Sequence, residues 1–448
     1  MDVHEVIERV LARVKPGEGE RKLVDSITRE LIKIAEEEIE EFGLDVRPVL
    51  VGSIAKDTYL SGDHDVDLFL AFPIDVPLKE VREEGFRLAR MIGERLEGYE
   101  IGYAEHPYVR ARYRGFHVDI VPCYDVKDWR EVRTAVDRSI LHTRWVIENL
   151  GGRNDEVRLL KRFFKGLRAY GSEAYVRGFS GYLAEILVIH YGSFLDVLEK
   201  ADLMLKQKII DPARWLRREP EIAMKTVGRE IKEDNPLIVL DPVDPRRNVA
   251  ANLSWERFAL FYFGAMRFLK SPSEEFFFPR TAVGDYRAEL RRKGTHLVTL
   301  LFDPPGLVDD VLLPQIEKSA RGIARALELE GFTVLGFDYG GDYIFIEVGE
   351  LSRPAVRVKR GPHFFTEMGR RFYEKNERTW VEGKDLIAEK PQEPYIVDVI
   401  EEILERGNVA LGKNVREAIR RADILVDFVP RRLEESAYLF LSREQFRV

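Results

Sequence analysis

The segment of residues 51–73 constrains the fold more than any other part of the chain. It opens with Gly52 and Ser53, directly after an apolar run, and later reaches Asp65 and Asp67 in a stretch that is otherwise apolar. Because successive side chains of a strand point to opposite faces, this pattern predicts a strand that carries both carboxylates on one face. The residues between and after them would then pack into a core on the other face. The pair Asp63 and Asp65 is a minor alternative.

Two carboxylates on one face of a half-buried strand repel each other and lose hydration, so something must compensate their charge. A pair of divalent cations would do so and would also support phosphoryl transfer. The turn at Gly52 and Ser53 suits the same chemistry, because glycine lets the backbone approach a phosphate closely. Asp119 lies in a third strand-like run. A lone buried Asp is more often structural, but on a neighbouring strand it would complete the site.

The hydrophobic periodicity around this segment predicts an α/β unit with a mixed sheet. Helices are expected over residues 3–14, 20–42 and 77–96, and strands over about 45–51, 99–105, 108–113 and 116–121.

Composition limits the class of protein. The chain has 448 residues, 45% of them hydrophobic and 33% charged, which is typical of a soluble globular protein with several domains. No apolar run is long enough to span a membrane. A single cysteine, Cys123, excludes an internal disulfide framework and fits a cytoplasmic protein. The net charge of −8 does not indicate a nucleic-acid binder, although binding depends on where the basic residues lie.

The Gly-Ser pair, the paired-Asp strand and the later single Asp resemble the catalytic signature of the DNA polymerase beta-like nucleotidyltransferase superfamily, over residues 48–122. Four later segments resemble the archaeal-type, class I CCA-adding enzymes: SILHTRW at 139–145, EVRLLKRFFKGLRAY at 156–170, VRGFSGYLAE at 176–185 and DPVDPRRNVAANLS at 241–254. Together they extend the resemblance over essentially the whole chain.

The resemblance implies a template-independent enzyme that builds or repairs the 3′-terminal CCA of tRNA from CTP and ATP. It implies Mg²⁺ as the cofactor, the tRNA acceptor end as the partner and a homodimer as the assembly. The implied metal ligands are Asp65, Asp67 and Asp119, and the implied nucleotide-binding residues are Gly52, Ser53, Lys56, His142, Lys161, Tyr170 and Arg247, with Arg246 as the alternative to Arg247. Two rivals remain: another polymerase of the superfamily, making poly(A) or oligoadenylate, and a catalytically silent RNA-binding relative.

The later segments also have interpretations of their own. Arg158, Lys161, Lys165 and Arg168 follow helical spacing, which indicates either a solvated basic face or a cationic wall for a triphosphate. Residues 177–185 predict a structural turn into an apolar helix. The prolines within residues 241–252 predict an irregular segment, whose arginines offer planar donors for a phosphate or a base.

We predict an α+β multidomain protein: a nucleotidyltransferase head with a palm-like mixed sheet (1–150), a mostly helical neck (151–270) and a C-terminal, tRNA-binding body and tail (271–448). Strand-like runs at 297–302, 332–337 and 343–348 around a helix at 313–330 predict a ferredoxin-like region. Residues 353–378 contain eight Lys and Arg residues against three Glu, with interleaved aromatics. This composition indicates either an RNA contact or a charged surface.

Overall fold

The computed structural model describes residues 2–103, 107–279, 284–407 and 409–443. The chain forms two compact units that divide near residue 280, a short distance after residue 271, where the C-terminal region was predicted to begin. The predicted end of one strand, at residues 104 and 105, lies outside the described residues. Within the described ranges, no helix combines the length and the apolar character needed to cross a bilayer.

The first unit contains eight strands and twelve α-helices in the described residues. The strands are β1 (Arg47–Val51), β2 (Asp65–Phe72), β3 (Tyr99–Tyr103), β4 (Pro107–Tyr113), β5 (Phe116–Tyr124), β6 (Ile209–Ile210), β7 (Ile238–Asp241) and β8 (Asp244–Asn248). The helices are α1 (Val3–Val14), α2 (Glu18–Phe42), α3 (Gly52–Ala55), α4 (Leu78–Glu94), α5 (Arg138–Leu150), α6 (Asn154–Gly166), α7 (Gly181–Tyr191), α8 (Phe194–Glu199), α9 (Ala201–Gln207), α10 (Trp215–Arg218), α11 (Pro220–Lys232) and α12 (Trp255–Lys270).

The predicted mixed sheet is confirmed, with the strand order β1-β2-β5-β4-β3. Strands β2 and β5 are parallel, and the other neighbours are antiparallel. Val66, Leu68 and Leu70 of β2 are buried in a core that α2 and α4 cover. Burying each of these side chains contributes about 1.5–3 kcal/mol. A slip of one residue would bury Asp65 and Asp67 in their place, so this core fixes which face carries the carboxylates.

A second core of the first unit lies among helices. It joins α1, α6, α7, α8 and α12 around a cluster of phenylalanines. The buried members of that cluster are Phe163, Phe164, Phe179, Phe194, Phe258, Phe261, Phe268 and Phe277. Val6, Val10 and Val14 of α1 also pack into this core. The predicted separation of a head from a neck at residue 150 stays a prediction.

The prediction of an irregular segment at residues 241–252 is wrong for its first half, because β7 and β8 pair as an antiparallel hairpin. Pro242 lies in the connection between the two strands. Pro245 lies in β8, which is an edge strand of the order β6-β7-β8. An edge strand tolerates proline because its outward backbone positions need no hydrogen-bond donor.

The second unit contains strands β9 (His296–Leu301), β10 (Val334–Tyr339), β11 (Tyr343–Val348), β12 (Val356–His363), β13 (Arg378–Glu382), β14 (Asp385–Pro391) and β15 (Asp423–Val426). Its helices are α13 (Tyr286–Lys293), α14 (Asp309–Leu329), α15 (Glu367–Glu374), α16 (Ile396–Arg406), α17 (Arg416–Arg420) and α18 (Glu434–Ser442).

The predicted ferredoxin-like region is confirmed. Its antiparallel sheet has the order β10-β11-β9-β15, and α14 and α16 pack on one face. The sequence did not predict β15, which is only four residues long, or the cover of α13 and α18 on the other face. Between β11 and α16 the chain inserts a second sheet, β12-β14-β13, together with α15. The cationic segment of residues 353–378 lies mostly in this insertion.

Candidate active site

Three carboxylates meet at one end of the parallel strand pair. The register of β2 and β5 sets Asp67 beside Asp119 and Asp65 beside His117. Asp65, Asp67 and Asp119 line an open cleft of about 830 Å³ together with Ser53. Asp63 lies before β2, and its carboxylate accepts a hydrogen bond from Lys165 Nζ at 2.7 Å. This geometry favours Asp65 and Asp67 as the strand pair over Asp63 and Asp65.

The electrostatics of the cleft call for a cation. Burial raises the pKa of Asp67 to about 7, the Asp119 carboxylate adds to that rise, and the Lys56 ammonium offsets part of it. A raised carboxylate pKa means that the site holds negative charge unfavourably in the absence of a positive partner. Carboxylate oxygens are the ligands that Mg²⁺ prefers. Charge and donor chemistry therefore both fit a divalent cation in this cleft.

Arg110 is a member of the site that sequence reasoning missed. Its Nε donates to Asp119 Oδ1 at 3.0 Å, and one of its terminal guanidinium nitrogens donates to Asp119 Oδ2 at 3.3 Å. Within the residues that the structure describes, no three His, Cys, Asp or Glu side chains form a group that could hold a metal ion, so Asp65, Asp67 and Asp119 line one cleft without closing on one point. The guanidinium of Arg110 compensates the charge of Asp119 in this arrangement. A cation that bound all three carboxylates would compete with Arg110 for this one.

Gly52 lies against the carboxylate of Asp67. Gly52 begins α3 with φ +75°, and a Cβ added there would lie 1.8 Å from Asp67 Oδ2. The sequence indicated that glycine allows close approach to a phosphate. The structure adds that Gly52 leaves room for the carboxylate of Asp67, which no local pattern could indicate because the contact joins α3 to β2.

Lys56 and Lys161 converge on a buried glutamate. Lys56 Nζ donates to Glu185 Oε2 at 2.6 Å, and Lys161 Nζ lies 3.5 Å from Oε1. Thr58 donates its hydroxyl to the same carboxylate at 2.5 Å and accepts from Lys161 at 3.1 Å. Burial lowers the pKa of Lys161 to about 8, although Glu185 opposes that shift. The two lysines leave this cluster with one surplus positive charge.

The solvated basic face, one of the two interpretations of α6, is wrong for two of its members. The side chain of Arg158 is 1% exposed and that of Lys161 is 4% exposed. Arg158 donates to the Tyr59 carbonyl at 2.9 Å and bonds to Asp57 and Asp155, so it fixes the segment before β2. Burial of long cationic side chains requires such partners, and helical spacing does not reveal them.

The side chains of Tyr170 and Lys161 both reach the first residue of α7, Gly181. A Cβ added to Gly181 would lie 2.9 Å from the Tyr170 hydroxyl and 3.5 Å from Lys161 Nζ. The pKa of Tyr170 is raised, first by burial and then by carboxylates that include Glu185 and Asp65. The structure therefore brings Lys161 and Tyr170 together, near both the buried glutamate and the carboxylate strand.

His142 and Arg247 share one carboxylate. Their Nε2 and guanidinium nitrogen each bond to Asp241 Oδ2 at 2.8 Å. Tyr182 donates to Oδ1 of the same residue at 3.2 Å, and its ring stacks on His142 with centroids 4.0 Å apart. Burial lowers the pKa of His142 below its ordinary value. The structure thus brings His142 and Arg247 together at the end of β7.

Arg246, the alternative to Arg247, is held separately. It donates to Asp244 Oδ1 at 2.8 Å and to the Trp129 carbonyl at 2.8 Å, and its guanidinium lies over the Trp129 ring. Asp244 also accepts from Arg138 at 2.8 Å. The hairpin therefore carries two arginines, each tied to its own buried aspartate.

Sequence reasoning missed Glu185, Asp241 and Tyr182 as members of the site. Glu185 had one signal, because it is the only charged residue of the apolar helix α7 apart from the titratable His190. Asp241 had none, because an Asp before proline is typical of a turn. Both carboxylates are fully buried, and each has partners from segments distant in sequence, such as Lys56 for Glu185 and His142 for Asp241.

Comparison with known proteins identifies the family. Residues 30–142 match a model described as a nucleotidyltransferase domain, residues 155–278 one described as tRNA nucleotidyltransferase, second domain, and residues 293–427 one described as CCA-adding enzyme, C-terminal domain. The chain is 64% identical to a CCA-adding enzyme of Pyrococcus abyssi, covering 99% of both sequences. It is 63% identical to that of Thermococcus gammatolerans over 100% of both, and 38% identical to that of Methanothermobacter thermautotrophicus over 94% of this chain and 93% of the relative. The chain belongs to the archaeal-type CCA-adding enzymes, which are tRNA nucleotidyltransferases.

Proposed function

We propose that the chain adds or repairs the 3′-terminal CCA of tRNA in the cytoplasm, using CTP and ATP and releasing pyrophosphate. The observation that carries the proposal is the convergence of Asp65, Asp67 and Asp119 on one cleft, in a chain of this family. A catalytically silent relative would have no need for three carboxylates at this position. A polymerase making poly(A) or oligoadenylate is not favoured by the family.

Asp65, Asp67 and Asp119 would hold Mg²⁺ at the end of the parallel strands. When bound, the metal supplies neutralising charge for the triphosphate and lowers the pKa of the primer 3′-hydroxyl. The chain's own contribution is placement. Strands β2 and β5 set two of the carboxylates side by side, and the Gly52 turn leaves them room.

The triphosphate would lie between two walls. Gly52 and Ser53 form the wall on the strand side, and the N–H groups of their turn and the Ser53 hydroxyl can hold its oxygens. Lys56, His142, Lys161 and Tyr170 supply the other wall. The support for this assignment is the surplus positive charge of the cluster around Glu185. Lys56, a member of that cluster, lies close enough to Asp67 to lower the pKa of its carboxylate.

Arg247 would contact the base of the incoming nucleotide. Its side chain is 39% exposed and its guanidinium is fixed on one side by Asp241, so its remaining nitrogens are positioned to donate. Arg246 already donates its Nε to Asp244 and one terminal nitrogen to both Asp244 and the Trp129 carbonyl. This difference favours Arg247 as the base-reading residue.

The insertion of the second unit would contact RNA. Phe364, Phe365 and Tyr373 are more than half exposed, and the surrounding lysines and arginines suit backbone phosphates. Arg353 is the exception, because its side chain is 7% exposed and pairs with Glu330.

A homodimer is the assembly that the family resemblance supports. The mass of the protein in solution, measured by light scattering, tests this assembly directly.

The first experiment is nucleotide incorporation into a tRNA that ends at the discriminator base. CTP and ATP are supplied singly and together with Mg²⁺, and products are resolved to one nucleotide. We expect two C additions followed by one A, abolished in Asp67→Ala, while tRNA binding is retained. A ladder of A alone would contradict CCA addition. Near-full activity of Asp119→Asn would contradict the carboxylate assignment.

A further inference from the structure

Asp241 is a fully buried carboxylate that accepts hydrogen bonds from four different residues. Oδ2 accepts from His142 and Arg247, both at 2.8 Å, and Oδ1 accepts from Tyr182 at 3.2 Å and from the Val243 N–H at 3.1 Å. These partners come from α5, α7 and the hairpin itself. One side chain thus ties a group assigned to the triphosphate to a group assigned to the base.

We propose that Asp241 is a positioning residue that sets nucleotide discrimination, acting through Arg247. This inference rests on the proposed function, which assigns Arg247 to the base. An arginine side chain has several rotatable bonds, and one that is 39% exposed, as that of Arg247 is, would sample many orientations without an anchor. The bond to Asp241 reduces that freedom before the nucleotide arrives, so the donors face a base in one orientation.

The backbone around Asp241 supports such a role. Asp241 ends β7, and its carbonyl accepts the indole N–H of Trp215 at 2.8 Å. Trp215 is itself buried with Ile238 and Leu240 of the same strand. The carboxylate therefore projects from a well-packed strand, and its bond to Arg247 holds the guanidinium relative to the sheet.

Asp244 provides a matched comparison within the same hairpin. It is also fully buried, and it also bonds to arginines, namely Arg246 and Arg138, at 2.8 Å. It does not bond to Arg247 or to His142 in the described contacts. Asp241→Asn and Asp244→Asn therefore remove the same charge from the same hairpin, and only the first releases the residue assigned to the base.

The test measures kcat and KM for each of the four nucleoside triphosphates on a tRNA ending in CC, with Mg²⁺. In Asp241→Asn we expect discrimination, the ratio of kcat/KM for ATP to that for the best wrong nucleotide, to fall about tenfold, as one lost charge-assisted hydrogen bond predicts. The loss should come mainly from KM of the correct nucleotide. Asp244→Asn should keep the wild-type ratio. Thermal midpoints should fall comparably in both variants.

A double-mutant cycle separates positioning from general damage. Arg247→Met should lower discrimination at least as much as Asp241→Asn, and adding Asp241→Asn to Arg247→Met should cause no further loss. A further loss, or a wild-type ratio in Asp241→Asn, would overturn the inference while leaving the proposed function intact. A wild-type ratio in Arg247→Met would instead overturn the base assignment itself, and the inference with it.

If Asp241→Asn does not fold, Asp241→Glu keeps the charge and moves the carboxylate by one methylene. It is expected to lower discrimination in the same direction, and a wild-type ratio in that variant would also overturn the inference. A selectivity change in Asp244→Asn and none in Asp241→Asn would assign base reading to Arg246.

Discussion

Gly52→Ala tests the architecture of the site with the smallest change that the chain allows. The substitution adds one methyl group to a turn whose φ is +75°. It has two separate consequences, since an L-residue is strained at this backbone angle and the new Cβ lies 1.8 Å from Asp67 Oδ2. The first affects stability, and the second affects the geometry of the Asp67 carboxylate, which we propose as a metal ligand.

The two consequences have different magnitudes. The left-handed backbone costs about 1–2 kcal/mol for a residue with a Cβ. Because a Cβ and an oxygen do not approach closer than about 3.0 Å, the Asp67 carboxylate must move by roughly 1.2 Å from its present position. A displacement of about 1 Å at a reacting centre can cost on the order of 10²-fold in rate. We therefore expect a severe loss of kcat with a modest loss of stability.

Gly43→Ala is the matched control. Gly43 ends α2 with φ +72°, and a Cβ added there has nothing within 4 Å. Both variants should lose about the same free energy of unfolding, measured by chemical denaturation, since the backbone strain is nearly identical. In the CCA-incorporation assay only Gly52→Ala should lose about 10²-fold in kcat. Equal activity of the two folded variants would refute the steric argument.

The structure supports three further predictions, two for substitutions and one for chemical labelling. Glu185→Gln leaves two buried lysines without their carboxylate and should cost about 3–5 kcal/mol in a denaturant titration at pH 7. Because the pKa of Glu185 is lowered in the folded state, this difference should shrink as the pH falls through that pKa, and a constant difference would contradict the pairing. Arg110→Ala frees Asp119 and should tighten Mn²⁺ binding measured by calorimetry without nucleotide; an unchanged or weaker affinity would show that Arg110 does not compete. Cys123 is buried with a raised pKa, so iodoacetamide should label it only after unfolding, and rapid labelling of the folded protein would contradict its burial.

The parts of the fold that the sequence predicted are those in which local patterns and burial agree. At its start, strand β2 alternates between buried and cleft-facing residues. The two-residue period of the sequence was therefore enough to predict which face carries the carboxylates. The ferredoxin-like strands β9, β10 and β11 followed from apolar runs. Strand β15 has four residues, none of them fully buried, and therefore lacks such a signal.

The site was predicted where a motif is continuous and missed where contacts join distant segments. Asp65 and Asp67 have a spacing that one strand translates directly into proximity, whereas Asp119 reaches them through the pairing of β2 with β5. Glu185 pairs with Lys161 and Lys56, which lie 24 and 129 residues away along the chain. Asp241 pairs with His142, which lies 99 residues away, and with Arg247 on the next strand. The sequence around a buried acidic residue does not reveal whether the residue caps a turn or anchors a cation, because only its partners in the fold differ.

Those buried acids also explain how opposite charges coexist in one small site. Lys56 lies close enough to Asp67 to act on the pKa of that carboxylate, yet its hydrogen bond goes to Glu185. A lysine without such an anchor would pair with Asp67, satisfy its charge and compete with a divalent cation. Because Glu185 holds the ammonium and carries only one negative charge against two lysines, the Asp67 carboxylate stays available for the metal that we propose there. The surplus positive charge stays on the side where the triphosphate is proposed to lie.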